Sequence, residues 1–375
     1  MSAHSSPGTI HIGVETDAAG RVSSVTLLST RPTGLGRVFI GRPPQEAPKL
    51  ARQLFSLCGF AHAAAARLAL ASARGEALTP SETFSIAVGL LAETCAESLR
   101  STALGWPREG RPEALAEAAT PLREAMAAAR LIMSTAAADG AFPERRTLSS
   151  AAKTLIDAAR ALGLDAAGTG APAADSLLGA IMAEARGDAF LFSAEPDALQ
   201  PADDVSVALA IERNGERFAA APTLPHRIVE TGPFARFWPE AVIERSHLAA
   251  RLRARLHATS QALNMLWRAL SYGEAAADDL MSATRRVEGE GFAAVETARG
   301  RLYHWARLDA AGEITDYVLA APTEWNFHPA GPFAAALLGA EIGKGEYARL
   351  RIRRLAAAFD PCVAFQIELR EQAHA

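Results

Sequence analysis

The chain has 375 residues, 49% of them hydrophobic, with 38 Lys or Arg against 42 Asp or Glu for a formal net charge of −4. There is ample apolar material for a full core, and the absence of a basic face or an arginine-rich run with interleaved aromatics argues against nucleic acid. Three cysteines cannot build a disulfide framework, Met1 to Gly8 has no secretory character, and the weakly polar tract Ala61 to Ala73 is interrupted by Arg67 and too short to span a bilayer, so a cytoplasmic protein is expected.

Ile10, Ile12 and Val14 alternate, Asp17 to Gly20 offers a turn, and Val22 to Leu28 is apolar and β-branched, which predicts an antiparallel hairpin over 8–30. From about Pro48 the character turns helical. Thr79-Pro80-Ser81-Glu82 has the spacing of a capping box, followed by the stripe Phe84, Val88, Leu91, Cys95, Leu99, in which Cys95 reads as core. A further helix is predicted from Thr147 to Leu162 with Gly163 as its stop, and Gly163 to Asp175 reads as a loop. Val205 to Ile211 with an Asn214-Gly215 turn suggests a second small β element. A long helix should run from about Pro239 to Tyr272 with its arginines on the exposed side. Leu302 to Leu308 and Ile314 to Ala320 form a third hairpin candidate, and the last helices lie near Pro332 to Leu338 and Glu346 to Ala358. The fold class is therefore mainly α with small antiparallel β elements (α+β), the β pieces lying at the edges.

Two cysteines stand in damaged motifs. Leu57-Cys58-Gly59-Phe60-Ala61-His62 and Asp360-Pro361-Cys362-Val363-Ala364-Phe365 each resemble one of the two C-x-x-C pairs that hold the metal centre of the nickel–iron hydrogenase large subunit. The first cysteine of each pair is kept, and Ala61 and Phe365 replace the second. Between them, in the family's order, Val229 to Arg236 (VETGPFAR) is similar to E-x-G-P-L-A-R. Gly289 to Trp305 is similar to the segment around A-P-R-G and H-W, Ala321 to Asn326 (APTEWN) to P-[ST]-x-W-N, and Phe359 to Cys362 to F-D-P-C.

The resemblance implies a hydrogenase large-subunit-like fold forming one domain over 1–375. In that family the first cysteine of each pair is a terminal nickel ligand, and the second bridges nickel to an iron carrying two cyanides and one carbon monoxide. Here both bridging positions are lost. The histidines of the two motifs are replaced by Ala65 and Glu368, which argues against the family's C-terminal cleavage, and Thr9 to Val14 stands where R-x-E-G-H is expected. Two cysteines cannot terminate and bridge two ions at once, so nickel is not expected, but they could hold one low-spin iron. Metal-binding candidates are Cys58 and Cys362, with His62 one helical turn from Cys58. Arg299 matches the family arginine beside one cyanide, although Ala298 replaces the usual proline before it. Pro322 and Thr323 match the pair that meets the other cyanide. The combination resembles the HupK/HoxV-type hydrogenase assembly proteins. It implies a non-catalytic scaffold that transiently holds Fe(CN)2CO, with maturation chaperones and the immature large subunit as partners and no membrane. The alternatives are a divergent catalytic large subunit and a metal-free interaction protein that mimics one. In the blander reading, His62 is a polar residue at a helix start, Arg299 an ion-paired core-edge arginine, Thr323, Trp325 and Asn326 a packing signature, and His304 and Trp305 structural. Glu230 and Arg236 are expected to stabilise a loop.

Overall fold

A computed structural model describes residues 8–108, 112–136, 145–165, 168–188, 190, 195–273 and 278–372. The alternation of Ile10, Ile12 and Val14 produces β1 (Thr9–Thr16), paired antiparallel with β2 (Val22–Ser29), and the carboxylate of Asp17 accepts from the backbone N–H of Ala19 and Arg21 to close the turn. Helices α1 (Ala47–Leu54), α2 (Gly59–Arg74), α3 (Pro80–Gly105), α4 (Pro112–Ala136), α5 (Arg145–Ala161) and α6 (Leu177–Arg186) follow. The capping box forms as expected: the Thr79 hydroxyl accepts from Glu82 N–H, and the Glu82 carboxylate accepts from Thr79 N–H at 2.7 Å. Cys95 is fully buried in the stripe of α3.

Beyond α6, β3 (Asp197–Ala198) pairs in parallel with β4 (Val229–Glu230), and α7 (Asp204–Asn214) and α8 (Glu216–Ala220) lie between them. The β element expected at Val205 to Ile211 is therefore a helix. Val205, Val207 and Ile211 alternate like a strand, but Val205 is exposed, whereas Val207, Ala208 and Ile211 are buried at helical spacing. Burying Val207 and Ile211 is worth roughly 1.5–3 kcal/mol each, against about 1 kcal/mol for the whole range of strand propensity, so burial decides. The short helices α9 (Pro233–Arg236) and α10 (Trp238–Ala241) precede α11 (His247–Tyr272), which starts at its cap Ser246 rather than at Pro239. Its arginines are not all on the exposed side: Arg251 and Arg255 are buried.

Strands β5 (Met281–Arg285), β6 (Glu290–Thr297), β7 (Gly300–Leu308) and β8 (Ile314–Ala320) form an antiparallel sheet in that order. It is not an edge piece. Ala293, Val295, Leu302 and Ala306 face the main core under α2, and Phe292, Ala294, Tyr303 and Trp305 face a second core with α7 and Trp325. At Gly291 a Cβ would lie 1.9 Å from the Ala69 carbonyl, so α2 rests directly on the sheet. The chain ends with α12 (Pro322–Asn326), α13 (Pro332–Leu337), α14 (Gly345–Phe359) and β9 (Ala364–Glu371). β9 lies parallel to β1, from Thr9 opposite Ala364 to Thr16 opposite Glu371, and makes the hairpin a three-stranded sheet in the order β2-β1-β9.

Candidate functional site

Cys58 sits between α1 and α2 as the cap residue of α2, with φ −125° and ψ 41°. Two features fix it there. A Cβ on Gly59 would lie 2.9 Å from the Arg52 carbonyl, so the turn between the helices is tight. Glu93 of α3 reaches across to the start of α2 and accepts from the N–H groups of Phe60 at 2.7 Å and Ala61 at 2.9 Å, a carboxylate at the positive end of the helix. Burial nevertheless pushes the Glu93 pKa up to about 7. Cys362 is delivered from the other end of the chain. α14 stops at Asp360, which takes the left-handed conformation at φ 54°, and Cys362 follows two residues before β9.

These two thiols line one cavity of about 210 Å³ together with His62, Arg299, Pro322 and Thr323, so every candidate residue from the motifs converges there. The Arg299 guanidinium donates to Cys58 Sγ at 3.2 Å, and the Thr323 hydroxyl donates to Cys362 Sγ at 3.2 Å while accepting from the Cys362 N–H. Burial pushes the Cys58 thiol up to about 12, against the opposing pull of Arg299. Arg299 also donates to the Asp360 carbonyl at 3.2 Å and pairs with Glu97 at 3.3 Å. Burial works against its charge, but Asp360, Cys58 and Glu97 outweigh it and hold the guanidinium well above its ordinary pKa.

The motifs that do not touch the thiols form the frame behind Arg299. The side chain of Asn326 exchanges two hydrogen bonds with the backbone of Thr231, and the Thr231 hydroxyl accepts from Arg301 N–H at 2.9 Å. Gly232 has φ 109°, and a Cβ on it would lie 2.7 Å from the Arg299 carbonyl. The E-T-G-P loop, the A-R-G turn and the P-T-E-W-N helix are thus one packed unit, and Ala298 in place of proline does not prevent the arginine from reaching the cavity. Glu230 pairs with Arg251 at 2.6 Å inside the protein, whereas Arg236 reaches over the Phe237 ring.

His62 shares the cavity but turns its Nδ1 inward, 2.9 Å from His304 Nε2, and stacks on Phe55 with ring centroids 3.5 Å apart. His304 Nδ1 in turn meets the Tyr317 hydroxyl at 2.7 Å. Burial lowers the pKa of both imidazoles, that of His304 to about 3. Among the described residues, no group of three or more His, Cys, Asp or Glu is placed to hold an ion. The two sulfurs are the protein atoms that could donate to a metal here, and any further ligands would have to arrive with it. Two soft donors flanked by a guanidinium and a hydroxyl suit an iron that carries anionic, hydrogen-bond-accepting ligands. Sequence reasoning missed Arg31, Glu93, Glu97, Asp360 and Glu324. Only Asp360 and Glu324 lie inside a motif, where they could have been examined.

The sequence model described as Nickel-dependent hydrogenase matches residues 241–367. The chain is 42% identical over 98% of both sequences to the hydrogenase expression/formation protein HupK of Rhizobium leguminosarum bv. viciae. It is 31% identical to HoxV of Cupriavidus necator, likewise a hydrogenase expression/formation protein, over 91% of this chain and 92% of that one. Among solved structures, a [NiFeSe] hydrogenase variant from Desulfovibrio vulgaris Hildenborough superposes with a TM-score of 0.65 at 17% identity, covering 92% of this chain and 93% of that one. The Desulfomicrobium baculatum Ni-Fe-Se hydrogenase gives 0.61 at 15% identity, over 93% and 95% of the two chains. At these identities the solved structures establish the fold alone.

Proposed function

The chain belongs to the HupK/HoxV family of hydrogenase expression/formation proteins, and from that premise we propose that it serves hydrogenase maturation as a non-catalytic scaffold, transiently holding an Fe(CN)2CO unit before transfer to the large subunit. One observation carries the reading. Thiols from opposite ends of the chain line a single cavity, one bonded by a guanidinium and the other by a hydroxyl. Cys58 and Cys362 would ligate the iron, and Arg299 and Thr323 are donors of the kind that cyanide nitrogens accept. With its pKa near 12 the Cys58 thiol is neutral at pH 7, so the positive charge of the iron must displace its proton. Ala61 and Phe365 offer nothing that could bridge a second ion, which opposes hydrogenase catalysis by this chain. Two thiolates in place of four also favour release, as a carrier requires. The partners in this reading are the maturation chaperones that build the iron unit and the immature large subunit that receives it.

The test is infrared spectroscopy on protein co-expressed with the maturation machinery and purified without oxygen. Cyanide and carbonyl bands are expected from the intact chain and should be missing from Cys58→Ala and Cys362→Ala. An intact chain without such bands overturns the scaffold reading. Partner capture indifferent to both substitutions would then favour the metal-free mimic.

A further inference from the structure

The thiol cavity contains a second guanidinium that no motif announces. Arg31, two residues past β2, lines the cavity, and its Nη1 donates to Glu324 Oε1 in an ion pair whose side chains are each 12% exposed. The pair is one-pronged, since Glu324 Oε2 is buried without a hydrogen-bond partner. It also stands in the wall shared with a neighbouring cavity of about 100 Å³, which both residues line. Burial alone would lower the Arg31 pKa, but its carboxylate partner Glu324, with smaller contributions from Cys362 and Cys58 when these are ionised, outweighs it and leaves it raised.

Charge explains what a second cation is for. Ferrous iron with two cyanides and two thiolates carries a net charge of minus two, and carbon monoxide adds nothing. Arg299 can donate to a cyanide but shares its charge with two carboxylates, Asp360 and Glu97, whereas Arg31 is opposed by one, Glu324. A buried dianion left short of positive charge is costly, and Arg31 is the other cationic side chain among the residues lining the cavity. A bare divalent ion on two thiolates is neutral and makes no such demand.

We propose that Arg31 is a cargo-binding residue that neutralises the dianionic iron unit and so selects it over a bare divalent metal ion, while Glu324, the variable residue of P-T-E-W-N, orients the guanidinium and competes for its charge. The inference rests on the scaffold reading above. It is tested on loaded, oxygen-free protein by following the decay of the cyanide and carbonyl bands under excess dithiothreitol. Arg31→Met should lose the bands at least about tenfold faster than the unsubstituted chain, as removal of one partner from a buried charge pair does, and Glu324→Gln should lose them more slowly. Cobalt(II) binding, read from its thiolate charge-transfer absorption, should stay within about twofold in Arg31→Met, because the neutral complex needs no counter-charge. Bands that persist equally in Arg31→Met overturn the inference. So does a cobalt affinity that falls in step with band loss, which would mean general disruption. An unsubstituted chain without bands instead sinks the scaffold reading and takes this inference with it.

Discussion

His304 is held neutral by this fold, and that has a measurable cost in acid. Both ring nitrogens are engaged, by His62 and Tyr317, and burial pushes its pKa down to about 3. An unfolded histidine titrates near 6.5, so between the two values the unfolded chain binds the extra proton. The stability this group contributes is complete above about pH 6.5 and drains away as the pH falls toward 3, by roughly 2 kcal/mol at pH 5. His304→Asn should therefore lose about 2 kcal/mol less between pH 7.5 and 5 than the unsubstituted chain, read as urea midpoints at both pH values. An identical loss would show that His304 is not kept uncharged. At this scale the sequence was legible where a residue belongs to a short local motif, which is why Cys58, Cys362, Arg299, Pro322 and Thr323 could be named in advance. Arg31 is a lone charge whose partner lies 293 residues away, and nothing in its neighbourhood signals that pairing.

The arginines of α11 show how an element can be found and its faces misassigned. A helix rich in arginine reads as solvated, yet Arg251 lies inside the protein with Glu230, its guanidinium carbon 3.4 Å from the Phe359 ring centroid and 4.2 Å from that of Phe234. One turn later Arg255 donates to the carbonyls of Ala357 and Ala358 at the end of α14. The helix is a strut tying the E-T-G-P loop to the segment that carries Cys362. Hydropathy gives no hint of this, because a buried arginine is tolerated only where carboxylates, carbonyls and rings from distant segments meet it. Arg251→Met should cost about 3–5 kcal/mol, since it leaves the Glu230 carboxylate buried and unpaired. Adding Glu230→Leu to that variant should restore much of the loss, as replacement of a buried pair by apolar groups commonly does. Denaturant midpoints of the two single variants and the double variant decide the point. Additive losses would mean that the pair is not coupled.

For the whole molecule, the site exists only when the two ends of the chain meet. Cys58 lies early in the sequence and Cys362 near its close, and the residues after Cys362 form β9 along the full length of β1. Such a contact is paid for in loop-closure entropy before it returns any pairing, so the thiol-lined cavity should be among the last features to form. The alternation of Phe365, Ile367 and Leu369 is visible in the sequence, but a strand pattern does not say which distant strand it pairs with or in which direction. β9 is largely exposed, with those three residues only partly buried against the core, while Ile10, Ile12 and Val14 are buried and β1 keeps β2 as a partner. Deleting residues 364–375 should therefore leave the circular dichroism spectrum near that of the intact chain while freeing the backbone just past Cys362. Alkylation of Cys362 should accelerate at least about tenfold, with Cys58 changed by no more than about twofold, because local opening then costs less at one end of the cavity only. β1 becomes a sheet edge in that variant, so the measurement belongs at low protein concentration. Equal protection of both thiols after truncation would place the anchor upstream, in the hold of Arg299 on Asp360, and would make β9 dispensable for the site.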